Sequence, residues 1–292
     1  MAREPSPTVC RRRLAAELRR FREDARLNGV QVAKQLKWST SKISRLETGQ
    51  ILPQRGDVES LLRRYAVDGE TAERLLTLTE IAQHKGWWED YADILSETLL
   101  TFIGLEAGAA EVRSWQSTVV PGLLQTSDYA RAGASILMPL EAISPGEVER
   151  RTRLRLGRQQ LLTAEDPLVY DTVIDEAVLL RRYGDEGVMR DQLHHLLKLT
   201  ESPTITIRVL RLKGPHPADW SSFLHMRFPA VDGLGALYED VVYTEAYSAQ
   251  VLEEREEITH RYARIFDLLA EAALGEDESR ELIADLADAI EC

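Results

Sequence analysis

The sequence predicts an α+β protein: an all-α head of five helices over residues 1–83, followed by an α+β domain over 84–292 with a mainly antiparallel sheet and C-terminal helices. Three observations predict it. Apolar residues recur at helical spacing throughout the head, and runs rich in β-formers begin only at Leu168. The charge also changes sign along the chain. Residues 1–66 hold 15 Lys+Arg against 7 Asp+Glu, a balance of +8, which leaves the remainder at −20. A basic head on an acidic body points to a nucleic-acid contact confined to the N-terminus.

The chain has 292 residues, 44% hydrophobic and 29% charged, enough for two cores. No apolar run approaches the roughly 18 residues of a membrane helix, and the opening Met-Ala-Arg-Glu-Pro-Ser-Pro lacks a signal-peptide core, so a cytoplasmic location is expected. The two cysteines, Cys10 and Cys292, supply neither a disulfide framework nor a zinc site.

In the head, Pro5 and Pro7 read as a mobile arm running into Arg11, Arg12 and Arg13, which begin a helix with Leu14, Leu18, Phe21 and Ala25 on one face. The arginine triplet is either a solvated helix start or a phosphate contact. Asn28 caps a second helix, with Gln31 completing a capping box and Val32, Ala33 and Leu36 forming its apolar side. After a tight turn at Lys37-Trp38, Ser39 caps a third helix. Ile43 and Leu46 face inward there, leaving Thr40, Ser41, Lys42, Ser44 and Arg45 exposed, and Gly49 suits a left-handed C-terminal cap. Short polar and basic side chains of this kind reach phosphates and base edges, so Ser39, Thr40, Ser41, Lys42, Ser44 and Arg45, with Asn28, Gln31 and Arg11–Arg13, are the candidate DNA contacts. Helix, tight turn, helix is the arrangement whose second member enters the major groove. Val58, Leu61, Leu62 and Tyr65, then Ala72, Leu75, Leu76 and Ala82, supply helices four and five.

The body opens at His84-Lys85-Gly86-Trp87-Trp88, where paired tryptophans suit core anchors at a domain junction or, alternatively, a ligand lid. A helix is expected over Glu106–Trp115, a turn at Pro121-Gly122 and a helix starting at Ser144-Pro145, carrying Arg150, Arg151, Arg153, Arg155 and Arg158. These arginines suit a solvated face or a grip on an acidic partner. Strands are expected at Leu168–Ile174, Thr204–Leu210, Phe223–Phe228 and Leu237–Tyr243, with a helix at Val188–Leu199. Gly/Pro-rich turns between the last three favour antiparallel pairing. Two final helices, on Ile258, Tyr262, Ile265, Leu269 and Ala272 and on Leu282, Ile283, Leu286 and Ile290, either cover the sheet or meet a second subunit.

The sequence holds no phosphate-binding glycine loop, no Gly-x-Ser-x-Gly and no His-Glu-x-x-His. His194 and His195 diverge on a helix, His216 and His225 flank a strand start, and Asp171, Asp175 and Glu176 fit a strand-to-helix cap as well as a carboxylate pair. No metal, cofactor or catalytic role is therefore expected.

Ala33, Leu36, Ile43, Ser44, Arg45, Leu46, Glu47 and Gly49 stand in a register that resembles the Cro/cI-type helix-turn-helix of XRE regulators, ending in Ile-Ser-Arg-Leu-Glu-x-Gly. Two positions depart from that pattern: Gly29 replaces a frequent phosphate-touching Gln, and Lys37 replaces a turn Gly. Gly86-Trp87-Trp88, Phe102-Ile103-Gly104-Leu105-Glu106-Ala107, Val119-Val120-Pro121-Gly122-Leu123-Leu124-Gln125-Thr126, Asp175-Glu176-Ala177, Arg227-Phe228-Pro229 and Asp240-Val241-Val242-Tyr243 resemble the C-terminal domain of unknown function of actinobacterial, antitoxin-like regulators. The resemblance implies a DNA-binding regulator whose body takes a small partner protein encoded nearby, and a homodimer on DNA is expected. Two other readings remain open at this point. One gives the body a small-molecule effector pocket lined by Trp87, Trp88, Trp115 and Trp220, and the weaker one is a DNA-tethered enzyme.

Overall fold

The computed structural model describes residues 6–136, 138–141, 143–214, 216–217, 220–231, 235–236, 238–246 and 249–291. Pro5 of the expected arm, Leu237 at the start of one expected strand, and Cys292 lie outside them, while Pro7 of that arm is not mobile but opens the first helix. The chain divides into two compact units: a head of Glu4–Glu89 with Pro229–Tyr238, and a body of Asp90–Phe228 with Glu239–Cys292 and residues 1–3.

Five helices build the head: α1 Pro7–Asp24, α2 Gly29–Leu36, α3 Thr40–Glu47, α4 Arg55–Arg64 and α5 Gly69–Ala82. Helix α1 starts earlier than expected, because Pro7 occupies its first turn, where a missing N–H costs nothing. Val9, Cys10, Leu14 and Leu18 of α1 are buried with Val32 and Ala33 of α2, Ile43 and Leu46 of α3, Val58 and Leu61 of α4, and Leu75 of α5. Burial pushes the Cys10 thiol up to about 12, so it serves as a small packing residue. Beyond α5, Gly86 lets the buried Trp88 ring lie against the main chain, since a Cβ at that position would overlap the ring. Strands β5 Ala230–Val231 and β6 Gly235–Ala236 form a two-stranded hairpin grouped with the head.

The body is a six-stranded mixed sheet, which corrects the mainly antiparallel expectation. Its strands are β1 Glu111–Gln116, β2 Val169–Asp175, β3 Ile205–Leu210, β4 Phe223–Arg227, β7 Val241–Ala246 and β8 Ala249–Glu253, in spatial order β3-β2-β1-β4-β7-β8. The β1/β2 and β2/β3 pairs are parallel, whereas β1/β4, β4/β7 and β7/β8 are antiparallel. The helical connections explain the difference. Helices α7 Ser127–Ser135, α8 Met138–Glu141 and α9 Pro145–Arg158 separate β1 from β2, and α10 Glu176–Leu180 with α11 Glu186–Leu199 separate β2 from β3. Crossovers of that length make βαβ units.

Strand β1 occupies the stretch expected as a helix. The true helix, α6 Glu97–Glu106, ends where that one was to begin. Glu111-Val112-Arg113-Ser114-Trp115-Gln116 is mixed in helix and strand formers, and burial on both sides hides the two-residue alternation. Of the final helices, α12 Glu256–Ala272 lies across β1, β3, β4 and β7, and α13 Glu276–Glu291 packs on α11 and on the outer strand β3. Phe266 and Leu269 of α12 close a core of Trp115, Val173, Leu210, Phe223 and Val242. Ser279 of α13 accepts from the Val209 amide at 2.9 Å, and Leu274 N–H, just before α13, donates to the Val209 carbonyl at 2.9 Å, so both main-chain groups of Val209 on the outer strand β3 are satisfied.

The α9 arginines are not all solvated. Arg150 pairs with Asp93 and Arg151 with Glu147, but Arg158 forks both oxygens of the fully buried Glu106 at 2.6 and 2.7 Å. Arg155 also turns inward, and burial, with Arg158 beside it, holds its pKa below the usual guanidinium range. Positions 151, 155 and 158 share one helical stripe, and that stripe faces the protein.

Candidate nucleic-acid interface

Residues 28–49 form the helix-turn-helix. Asn28 and Gln31 make the expected capping box, each side chain accepting from the other's main-chain N–H at 2.9 Å. Helix α2 ends at Lys37 with φ 56° and ψ 38°, and the Trp38 N–H closes the turn onto the Ala33 carbonyl at 2.8 Å. A left-handed lysine costs about 1 kcal/mol relative to glycine. Lys37→Gly is therefore expected to raise the stability of the head by roughly that amount. Unchanged or lowered protection of the α2 and α3 amides in hydrogen exchange would contradict this. Ser39 caps α3 through the Lys42 N–H at 3.1 Å, and Gly49 leaves the helix with φ 69°.

Ile43 and Leu46 are buried, while Ser39, Thr40, Ser41, Ser44 and Arg45 are exposed on the other side of α3. Arg45 makes only a long contact from Nε to the Ser41 carbonyl, 3.4 Å. Lys42 is placed differently. Its Nζ lies 2.7 Å from Asp57 Oδ1 and 4.0 Å from the centre of the Trp38 ring, so a phosphate contact would have to draw it away from both. Gly29 has room for a side chain, since a Cβ there would meet Ile43 Cγ2 at an ordinary 3.7 Å.

The arginine triplet is engaged inside the head. Arg11 donates to the Ala82 carbonyl at 3.4 Å and lies 3.8 Å from Glu89; Arg12 donates to the Tyr238 hydroxyl at 2.9 Å; Arg13 pairs with Glu17 at 2.7 Å. The structure does not gather these three with the α3 residues as unpaired cations. By contrast Arg26, Lys34, Lys37 and Arg45 are exposed and form no ion pair among the described residues. All four lie on the α2–α3 motif or the loop leading into it. Sequence reasoning missed Arg26 and Lys34 because a cation's availability depends on which acid the fold brings near it.

A residue outside the exposed face fixes its orientation. Glu47, at the end of α3, accepts a fork from Arg22 of α1, Nε at 2.7 Å and Nη2 at 2.9 Å, while Arg22 Nη1 donates to the Leu27 carbonyl at 2.9 Å. Tyr65, the residue that follows α4, packs nearby, its hydroxyl buried without a partner and its pKa raised chiefly by burial and then by Glu47.

The four tryptophans of the expected pocket are divided between the two units. Trp87 and Trp88 belong to the head, edge to face at 6.0 Å, whereas Trp115 and Trp220 belong to the body, where the Trp115 indole N–H donates to the Trp220 carbonyl at 3.0 Å. Asp171 pairs with Arg208, Asp175 caps α10, His216 meets Asp175 at 3.3 Å and His225 meets Asp240 at 3.0 Å. Among the described residues no three His, Cys, Asp or Glu side chains are grouped to hold a metal.

The sequence profile of a helix-turn-helix domain matches residues 13–75, and that of the domain of unknown function DUF5753 matches residues 99–285, more than half the chain. The chain belongs to the DUF5753 family. Its helix-turn-helix domain makes it a DNA-binding regulator, with the DUF5753 domain as its body. No curated protein and no solved structure matches the chain. Among the described residues no helix is long and apolar enough to cross a membrane.

Proposed function

We propose that this chain is a cytoplasmic, sequence-specific transcriptional regulator of the Cro/cI-like XRE kind that binds its operator as a dimer and acts by binding rather than catalysis. The observation that carries the reading is the exposed polar face of α3, flanked by the unpaired cations Arg26, Lys34, Lys37 and Arg45. Phosphates fix such a helix in register, and Ser41, Ser44 and Arg45 reach base edges. A dimer of this motif places its two α3 helices about 34 Å apart on successive major grooves.

The acidic DUF5753 domain repels DNA, and it dimerises and receives a small, antitoxin-like partner protein. Light scattering should give twice the mass of one chain, and a small protein should co-purify in stoichiometric amount from the native host. A monomeric mass on operator DNA would overturn the dimer, and isolation of the regulator alone would overturn the partner.

Salt dependence separates the two groups of basic residues. Lys34→Ala is expected to reduce the slope of log K against log salt by about 1, whereas Arg13→Ala, which breaks a pair with Glu17, leaves it unchanged. Fluorescence anisotropy over a salt series reads both slopes. A flattened slope in Arg13→Ala alone would return the arginine triplet to the phosphate-contact set.

A further inference from the structure

The body carries a cleft that DNA reading does not use. Strands β1, β2 and β3 step outward in one direction, and the chain then returns to β4 on the opposite side of β1. A reversal of strand order at parallel strands leaves a crevice beyond their carboxyl ends, where open α/β sheets hold their ligands. A cleft of about 720 Å³ lies at that point, lined by Trp115 and Ser117 from the end of β1, Asp175 from the end of β2, and His216, Trp220 and Ser221 from the segment leading into β4. That volume falls within the roughly 300–1,000 Å³ of small-molecule sites.

The walls are preorganised. The Trp115 indole N–H holds the Trp220 carbonyl at 3.0 Å, and Ser117 N–H donates to Ser222 Oγ at 3.0 Å. Asp175 is only 8% exposed; one oxygen caps the Ala177 N–H at 2.8 Å and the other lies 3.3 Å from Nε2 of His216, which lines the cleft with it. It is the one carboxylate among the described lining residues, which include no Lys or Arg. Arg211, close to the cleft in sequence, is held by Glu176 at 3.4 Å. Among the described lining residues, an anion entering here meets the Asp175 carboxylate and no guanidinium or ammonium group to balance it. A cation shares Asp175 with His216 and finds the ring of Trp220, 42% exposed, as its second wall.

We infer that this cleft is a binding site for a small organic cation: a protonated amine carried on an apolar or aromatic body. The test uses the full chain without DNA, so its failure leaves the DNA-reading assignment untouched. Phenethylamine, phenethyl alcohol and phenylacetate are titrated by calorimetry and tryptophan fluorescence at about pH 8, where an alkylamine is protonated. The amine is expected to bind saturably and at least about tenfold more tightly than the alcohol or the acid, a difference near 1.4 kcal/mol. Asp175→Asn, which keeps the cap on Ala177, is expected to erase the preference for the amine over the alcohol, and Trp220→Ala to weaken the amine about tenfold. No saturable amine binding, equal or tighter binding of phenylacetate, or an amine affinity unchanged in both variants would each overturn the site.

Discussion

Replacing Ser44 and Arg45 together with alanine is expected to weaken specific DNA binding roughly 100-fold, because each well-placed base-edge contact is worth about 1–3 kcal/mol. Both side chains are exposed, and neither closes a cap nor fills the core. Stability should therefore change by no more than about 0.5 kcal/mol. Gel shift on a duplex selected from random sequence by the wild-type chain measures the loss, and thermal melting checks the fold. Lys42→Ala is the informative contrast. Lys42 is already committed to Asp57 and Trp38, the ion-paired side chains being 30% and 22% exposed, so it is not free to hold a phosphate and its removal should cost DNA affinity less than about fivefold, below the roughly 1–3 kcal/mol of a base contact. If Ser44→Ala with Arg45→Ala binds as tightly as wild type, or Lys42→Ala proves the more damaging change, α3 does not read DNA through the face assigned here.

The head was legible because its determinants are local. Asn28 with Gln31, Ser39, and Gly49 each act within four residues of themselves, and spacing alone announces them. What escaped was charge pairing across the fold: Arg22 to Glu47 and Lys42 to Asp57 join residues 25 and 15 positions apart, and no periodicity marks them. The body was harder for the same reason in larger form. Strand β1 is defined by partners on both sides, β2 at residues 169–175 and β4 at 223–227, so its own residues need not alternate. Reading residues 106–115 as a helix leaves the parallel half of the sheet without its first member. The antiparallel pairs then dominate the pattern, and the cleft at the end of β1 has no visible address.

The Arg22–Glu47 fork is expected to decide whether α3 stays in place. The two side chains are 13% and 9% exposed, and loss of one member of a nearly buried pair strands the other's charge, at about 3 kcal/mol. Against the roughly 5–15 kcal/mol that holds a domain together, Glu47→Ala should lower the melting of the head by on the order of 15 °C. Hydrogen exchange at the α3 amides, in the full chain, reads this locally. Their protection should fall with Glu47→Ala and with Arg22→Ala, while Arg19→Ala, which breaks an Arg19–Glu23 pair 62% and 53% exposed, should leave it intact. The double variant should cost little more than either single one, since neither charge then remains unpaired. Tyr65→Phe removes a buried hydroxyl that has no partner and should be neutral or slightly stabilising, so the effect belongs to the fork and not to its neighbourhood. DNA affinity in Glu47→Ala should fall although the Glu47 side chain is nearly buried against Arg22, and adding purified operator should restore α3 protection by mass action. Unaltered exchange in both single variants would mean that the buried apolar side chains of α3, Ile43 and Leu46, hold it unaided.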